Sequence, residues 1–126
     1  MIVGIGVDII SVERMRGIVQ RQGDRFLQRV FTEEEIRYCR RCAHPAQRFA
    51  ARFAAKEAVL KALGVGWQNG TSFRDVQVSR TELGAPSVEL AGRSLEISRG
   101  LRVSRILLSL SHDESYAVAQ AVAEAD

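Results

Sequence analysis

The sequence predicts an α+β domain, a largely antiparallel sheet packed with one long central helix. Three observations lead there. Alternating apolar strands stand at both ends of the chain, helical spacing fills the middle, and an alanine-rich stretch framed by Pro45 and Gly64 is the longest helical segment. At 126 residues the chain is shorter than the ~150 of a typical domain, so one domain is expected over 1–126. Apolar residues at 46% and charged residues at 26% exclude disordered, collagenous and low-complexity classes.

The first segment, Met1 to Ile10, alternates. Val3, Ile5, Val7 and Ile9 share one face; Gly4, Gly6 and Asp8 share the other. Two glycines before an aspartate on one face indicate that something packs close to the backbone there and that the carboxylate has a partner. Ser11 caps a helix carrying Val12, Met15, Ile18 and Val19, which Gly23 ends; Asp24 caps a second, short one with Phe26, Leu27 and Val30. Thr32 and Glu35 form a capping box, with Phe31 and Ile36 at the staple positions, for a third helix running to about Arg41.

Pro45 at a first helical position and Gly64 at a stop frame the long helix, whose alanines 46, 50, 51, 54, 55, 58 and 62 permit close packing. Gly64 to Gly70 reads as a loop. Val76 to Arg80 and Ser87 to Leu90 read as strands around a Gly84-Ala85-Pro86 turn, and Ala91 to Arg99 as a helix. Arg105 to Ser111 and Tyr116 to Ala123 form a hairpin across His112 to Ser115.

A net charge of +3 and a pI near 9.3 favour acidic partners without demanding nucleic acid. Sixteen of the eighteen basic residues are arginine, and the two lysines, Lys56 and Lys61, lie close together on the long helix. The apolar runs fall short of the ~18 residues of a membrane span, and the first segment has no basic n-region, so a cytoplasmic protein without a membrane partner is expected. Cys39 and Cys42 make one C-x-x-C, readable as a redox pair, half a zinc site or ordinary reduced thiols.

Arg48, Arg52 and Lys56, spaced by four, form a positive ridge that fits an anion. Glu57 and Lys61 lie on a second ridge, and alone they read as a surface ion pair. Asp8 in an apolar strand changes that reading. If Asp8 and Glu57 meet, their repulsion is relieved most simply by a hard divalent cation. Magnesium binds through one or two carboxylates, waters and phosphate oxygens, so this pair beside Lys and Arg points to a phosphate ester substrate. The glycine pairs at 4 and 6 and at 64 and 66 complete no phosphate-loop motif, and Ser109 and Ser111 sit in no nucleophile elbow.

The segments Gly4-Ile5-Gly6-Val7-Asp8-Ile9, Arg52-Phe53-Ala54-Ala55-Lys56-Glu57-Ala58 with Lys61 and Gly64, and Ser109-Leu110-Ser111-His112 together resemble the short, single-lobed branch of the 4′-phosphopantetheinyl transferase superfamily. The resemblance covers essentially the whole chain and implies that superfamily's fold. It also implies transfer of the phosphopantetheine arm of coenzyme A to a serine of apo-acyl carrier protein, in support of fatty acid biosynthesis, with release of adenosine 3′,5′-bisphosphate. By the same resemblance Asp8 and Glu57 bind Mg2+ and Lys61 neutralises phosphate charge. Arg48, Arg52, Phe53, Lys56, Gly64 and Pro86 line the coenzyme A site, with His112 at the nucleotide end, and Arg14 and Arg21 meet the acidic carrier. Such proteins form homotrimers with sites between chains. Two readings compete: a basic nucleic-acid module, supported by pI and the arginines of the first two helices, and a metal-dependent phosphatase using the same carboxylates.

Overall fold

The structure is a computed structural model and describes residues 1–66 and 69–126; of the expected Gly64–Gly70 loop, Trp67 and Gln68 lie outside the described residues. Along the chain the elements are β1 (Ile2–Ser11), α1 (Val12–Gln22), α2 (Asp24–Val30), α3 (Glu33–Arg41), α4 (Pro45–Ala62), a 3-10 turn (Phe73–Asp75), β2 (Val76–Arg80), β3 (Pro86–Leu90), α5 (Gly92–Gly100), β4 (Val103–His112) and β5 (Tyr116–Ala125). The α+β class stands. Its antiparallel pairing is divided between a three-stranded sheet in the order β1-β5-β4 and a separate β2-β3 ribbon.

Close approach of α4 to the larger sheet organises the molecule. Its alanines 54, 55, 58 and 62 are buried, and so are Ala117, Ala119, Ala121 and Ala123 on the inner face of β5. On β1 the approach is closer still. A Cβ on Gly4 would lie 1.7 Å from the Ala62 carbonyl oxygen, and one on Gly6 would lie 1.9 Å from that of Ala58, so only glycine lets this strand touch the helix. The glycine face is therefore the inner face. Val3, Ile5, Val7 and Ile9 point away from the helix and are 41–62% exposed, and Tyr116, Val118 and Leu107 extend this apolar outer surface across the sheet.

A second core lies at the other end of α4, where Phe49 and Ala50 meet Val12, Met15, Leu27, Val30 and Phe31 of the helical layer. The Thr32–Glu35 capping box forms in full: Glu35 N donates to Thr32 Oγ1 and Thr32 N to Glu35 Oε1. At α2 the expected cap shifts by one residue. Gly23, at φ 57°, is the N-cap and Asp24 is the first helical residue, because the end of α1 needs the left-handed turn that only glycine takes without strain. The strands run one to two residues beyond their predicted ends, since pairing along β5 continues past the apolar alternation.

Candidate active site

Strand parity puts Asp8 on the same face as Gly4 and Gly6, two residues beyond the point where β1 touches α4, and this brings it to the Glu57–Lys61 ridge. Lys61 Nζ donates to Val7 O at 3.0 Å and to Asp8 Oδ1 at 3.2 Å. The position of Lys61 is fixed by the helix end. Gly64, at φ 75°, closes a Schellman motif in which Gly64 N donates to Lys61 O and Val65 N to Leu60 O.

The pair is poorly neutralised. Asp8 Oδ2 is buried without a hydrogen-bond partner. Burial and the charge of Asp8 hold the Glu57 carboxyl above its ordinary value, and Lys61 only partly opposes them. Two oxygen-donor carboxylates close enough to repel, one with an orphaned oxygen, fit a hard divalent cation that takes its other ligands from water or phosphate. Glu57 also lines a cleft of about 320 Å³ with Arg14, Ser11, Met15, Phe26 and Phe53, open beside α1. Arg21, two turns further along α1, is exposed.

The first ridge of α4 divides. Lys56, expected among the coenzyme A residues, is fully buried, with Nζ donating to Glu35 Oε1 at 2.7 Å, Phe73 O at 2.9 Å and Val76 O at 2.6 Å. All three donors are engaged within the protein, which leaves none for a phosphate. Burial pulls its pKa down and the Glu35 carboxylate opposes that shift. Glu35 in turn accepts from Val78 N at 2.8 Å, so this pair ties α3, α4 and β2 together.

Arg52 is 4% exposed, stacked over the Tyr38 ring at 4.3 Å, and its Nε has no partner. Arg48 and Arg80 both act on His112, whose imidazole is held below its usual value by burial first and by these cations second. Pro86 faces Arg80 across the β2-β3 ribbon. The site residues thus form two groups: Asp8, Glu57, Lys61, Phe53 and Arg14 on the β1–α1 flank of α4, and Arg48, Arg52, Pro86 and His112 on the other.

The redox reading of the C-x-x-C fails. Cys39 is buried, which pushes its thiol up to about 12, and the motif sits at a helix C-terminus, the wrong pole for a thiolate. Sequence reasoning missed Glu35 beyond its capping role, Tyr38 beneath Arg52 and Arg80 beside His112. The capping box was the one signal for Glu35; for Arg80, set by ribbon pairing, none was available.

A fold with a glycine-faced strand on an alanine helix, and a carboxylate pair with a lysine at their junction, defines a class of protein. The profile described as "4'-phosphopantetheinyl transferase superfamily" matches residues 4–121, and the chain belongs to that family. Within it the similarity is to one kind of member. The holo-[acyl-carrier-protein] synthase of Koribacter versatilis is 47% identical over 98% of this chain and 99% of that protein. The crystal structure of the corresponding synthase from Neisseria meningitidis superposes with a TM-score of 0.89 at 37% identity, covering 98% of this chain and 99% of that one. The Helicobacter pylori synthase, solved in complex with coenzyme A, superposes at 0.83 with 33% identity, covering 95% and 99%.

Proposed function

We propose that this chain, acting as one domain over 1–126, is a magnesium-dependent synthase that transfers 4′-phosphopantetheine from coenzyme A to a serine of apo-acyl carrier protein in the cytoplasm, releasing adenosine 3′,5′-bisphosphate. The observation that carries this reading is the Asp8–Lys61 contact with Glu57 beside it and Asp8 Oδ2 left without a partner. Mg2+ held by Asp8 and Glu57 would supply charge neutralisation at the phosphate under attack. Lys61, half exposed, adds a mobile cation for the same phosphate oxygens. The cleft beside Glu57 admits the carrier serine, with Arg14 and Arg21 exposed along α1 for an acidic partner. Proton removal from that serine falls to a carboxylate or a water in this cleft.

Two further observations favour a homotrimer with sites shared between chains. The outer sheet face exposes Val3, Ile5, Val7, Ile9, Tyr116 and Val118, a contiguous apolar surface. The two residue groups also sit on different flanks of α4: the ~100° advance per residue turns Glu57 about 140° from Arg52. A donor with a reacting end and a nucleotide end is gripped by both groups if neighbouring chains contribute one each.

The decisive measurement is the intact mass of apo-carrier incubated with the protein, coenzyme A and Mg2+. The expected result is a gain of one phosphopantetheine, abolished by a chelator. Release of free phosphate with an unmodified carrier would establish the phosphatase instead.

A further inference from the structure

All five phenylalanines of the chain fall in one string. Ring centroids of Phe73 and Phe53 are 5.2 Å apart, Phe53 and Phe26 6.5 Å, Phe26 and Phe31 6.3 Å, and Phe31 and Phe49 5.1 Å. Phe26 and Phe53 line the cleft beside Glu57; Phe73 is not part of that lining and packs on Phe53. We propose that Phe73 is a positioning residue for the acceptor: anchored by Lys56, it holds the Phe53 ring as a fixed wall of the cleft that admits the carrier serine. The inference rests on the transferase reading and on the assignment of that cleft to the carrier.

The 3-10 turn that carries Phe73 is held along its backbone. Lys56 Nζ donates to Phe73 O at 2.9 Å and to Val76 O at 2.6 Å, so one buried ammonium grips the start of the turn and the residue just beyond its end. Glu35 fixes that ammonium in turn, at 2.7 Å. Within the turn Asp75 N donates to Ser72 O and Arg74 N to Ser72 Oγ, and Ala91 N donates to Asp75 O from the start of α5. Phe73 therefore enters the core from a base with little freedom. Its ring is half-buried and packs against both hydrophobic clusters, a place shared among the described half-buried apolar residues only with Ile10, which itself lines the cleft.

The Phe53 ring needs such backing. It is half-buried with one side on the cleft, so packing on its other side has to fix its rotamer. The close pair with Phe73 supplies that contact, and Phe26 lies farther off. Phe53 precedes Glu57 by four residues on α4, and helical side chains lean toward the N-terminus, which carries the Glu57 side chain toward Phe53. Truncation of Phe73 leaves a void into which the Phe53 ring turns, and the cleft loses its wall beside Glu57. The Asp8–Lys61 contact and the group of Arg48, Pro86 and His112 stand on other supports and keep their places.

The test is steady-state transfer with apo-carrier and coenzyme A varied in turn, at a temperature where each variant is folded. Phe73→Ala is expected to raise KM for the carrier about 3- to 10-fold, the worth of one aromatic pair, with KM for coenzyme A within about 2-fold of native. Loss of folded protein alone would lower kcat and leave both KM values unmoved. Phe73→Tyr keeps the ring and should keep the native carrier KM. Phe73→Leu keeps apolar volume, should raise the carrier KM less than Phe73→Ala, and stands in for it if that variant does not fold. Phe53→Ala and Phe53→Ala/Phe73→Ala should share one carrier KM, because Phe73 acts through Phe53. An unchanged carrier KM in the truncated variant, a Phe73→Tyr variant no better than Phe73→Ala, effects that multiply in the double variant, or a rise confined to coenzyme A would each overturn the proposal. Native protein that leaves the carrier unmodified would overturn the transferase reading, and the proposal with it.

Discussion

On the α3 flank of α4, the buried pair of Lys56 and Glu35 has three lysine donors and both carboxylate oxygens engaged. On the β1 flank, one residue further along, Glu57 and Asp8 share a single half-exposed lysine, and one carboxylate oxygen has no partner. The same helix thus presents adjacent Lys and Glu to opposite fates. A buried charge that is fully satisfied holds elements together, and one left wanting has capacity for a ligand. The cost of incompleteness on the β1 flank is tolerated because it stays partly open to water and, on the proposed reading, is met by ion and substrate.

The comparison breaks most sharply through Lys56→Met. Removing one partner of the buried pair is expected to cost about 3–5 kcal/mol, and Glu35→Leu/Lys56→Met should restore only part of it, because Thr32 N, Val78 N, Phe73 O and Val76 O then lose their partners. Urea unfolding reads both, and a single variant within 1 kcal/mol of native would erase the distinction between flanks. Asp8→Ala should show the opposite profile. Carrier modification is expected to fall about 100- to 1,000-fold, as for loss of a group stabilising transition-state charge, while stability changes little. An Asp8 variant that unfolds would mean that this flank is structural too.

Gly6→Ala tests the junction between them. The new methyl cannot coexist with the Ala58 carbonyl, so β1 must shift, at an expected cost of about 1–3 kcal/mol by denaturant unfolding and a weaker Mn2+ affinity by paramagnetic resonance. A neutral outcome would show that strand and helix are not held at contact.

The pH dependence of Glu57 is smaller and has a definite sign. Its folded value lies above the ordinary 4.5, so its contribution to stability is complete below that value and is lost as pH rises through the raised one. Thermal midpoints of the metal-free protein should fall through that window, and Asp8→Asn should flatten the fall; a fall unchanged from native would put the two carboxylates apart. The smallest effect is at His112. Arg48→Ala removes a neighbouring positive charge and should raise the imidazole pKa, read by NMR in a chain with only two histidines. An unmoved titration would separate Arg48 from His112.

Much of this was legible in the residues. The glycines and Asp8 on one strand face announced both a close packing partner and a paired carboxylate, and each was found: α4 and Lys61. The capping box named the start of α3, yet the same Glu35 also neutralises a lysine twenty-one positions away, which capping geometry does not reveal. Spacing by four placed Arg48, Arg52 and Lys56 on one ridge, but a ridge has no inside or outside until its neighbours pack. Here the 3-10 turn and β2 close over Lys56, while α3 leaves Arg52 a cavity.

The order of helices and strands, the caps of α1 and α3 and the face on which each polar residue stands came from the sequence alone, because these depend on contacts within a few residues and on the fixed periods of helix and strand. Which charges became structural and which stayed available was decided only by tertiary packing. That outcome depends on carbonyls and carboxylates brought in from β1, α3 and β2, and no local pattern encodes which distant acceptor arrives first.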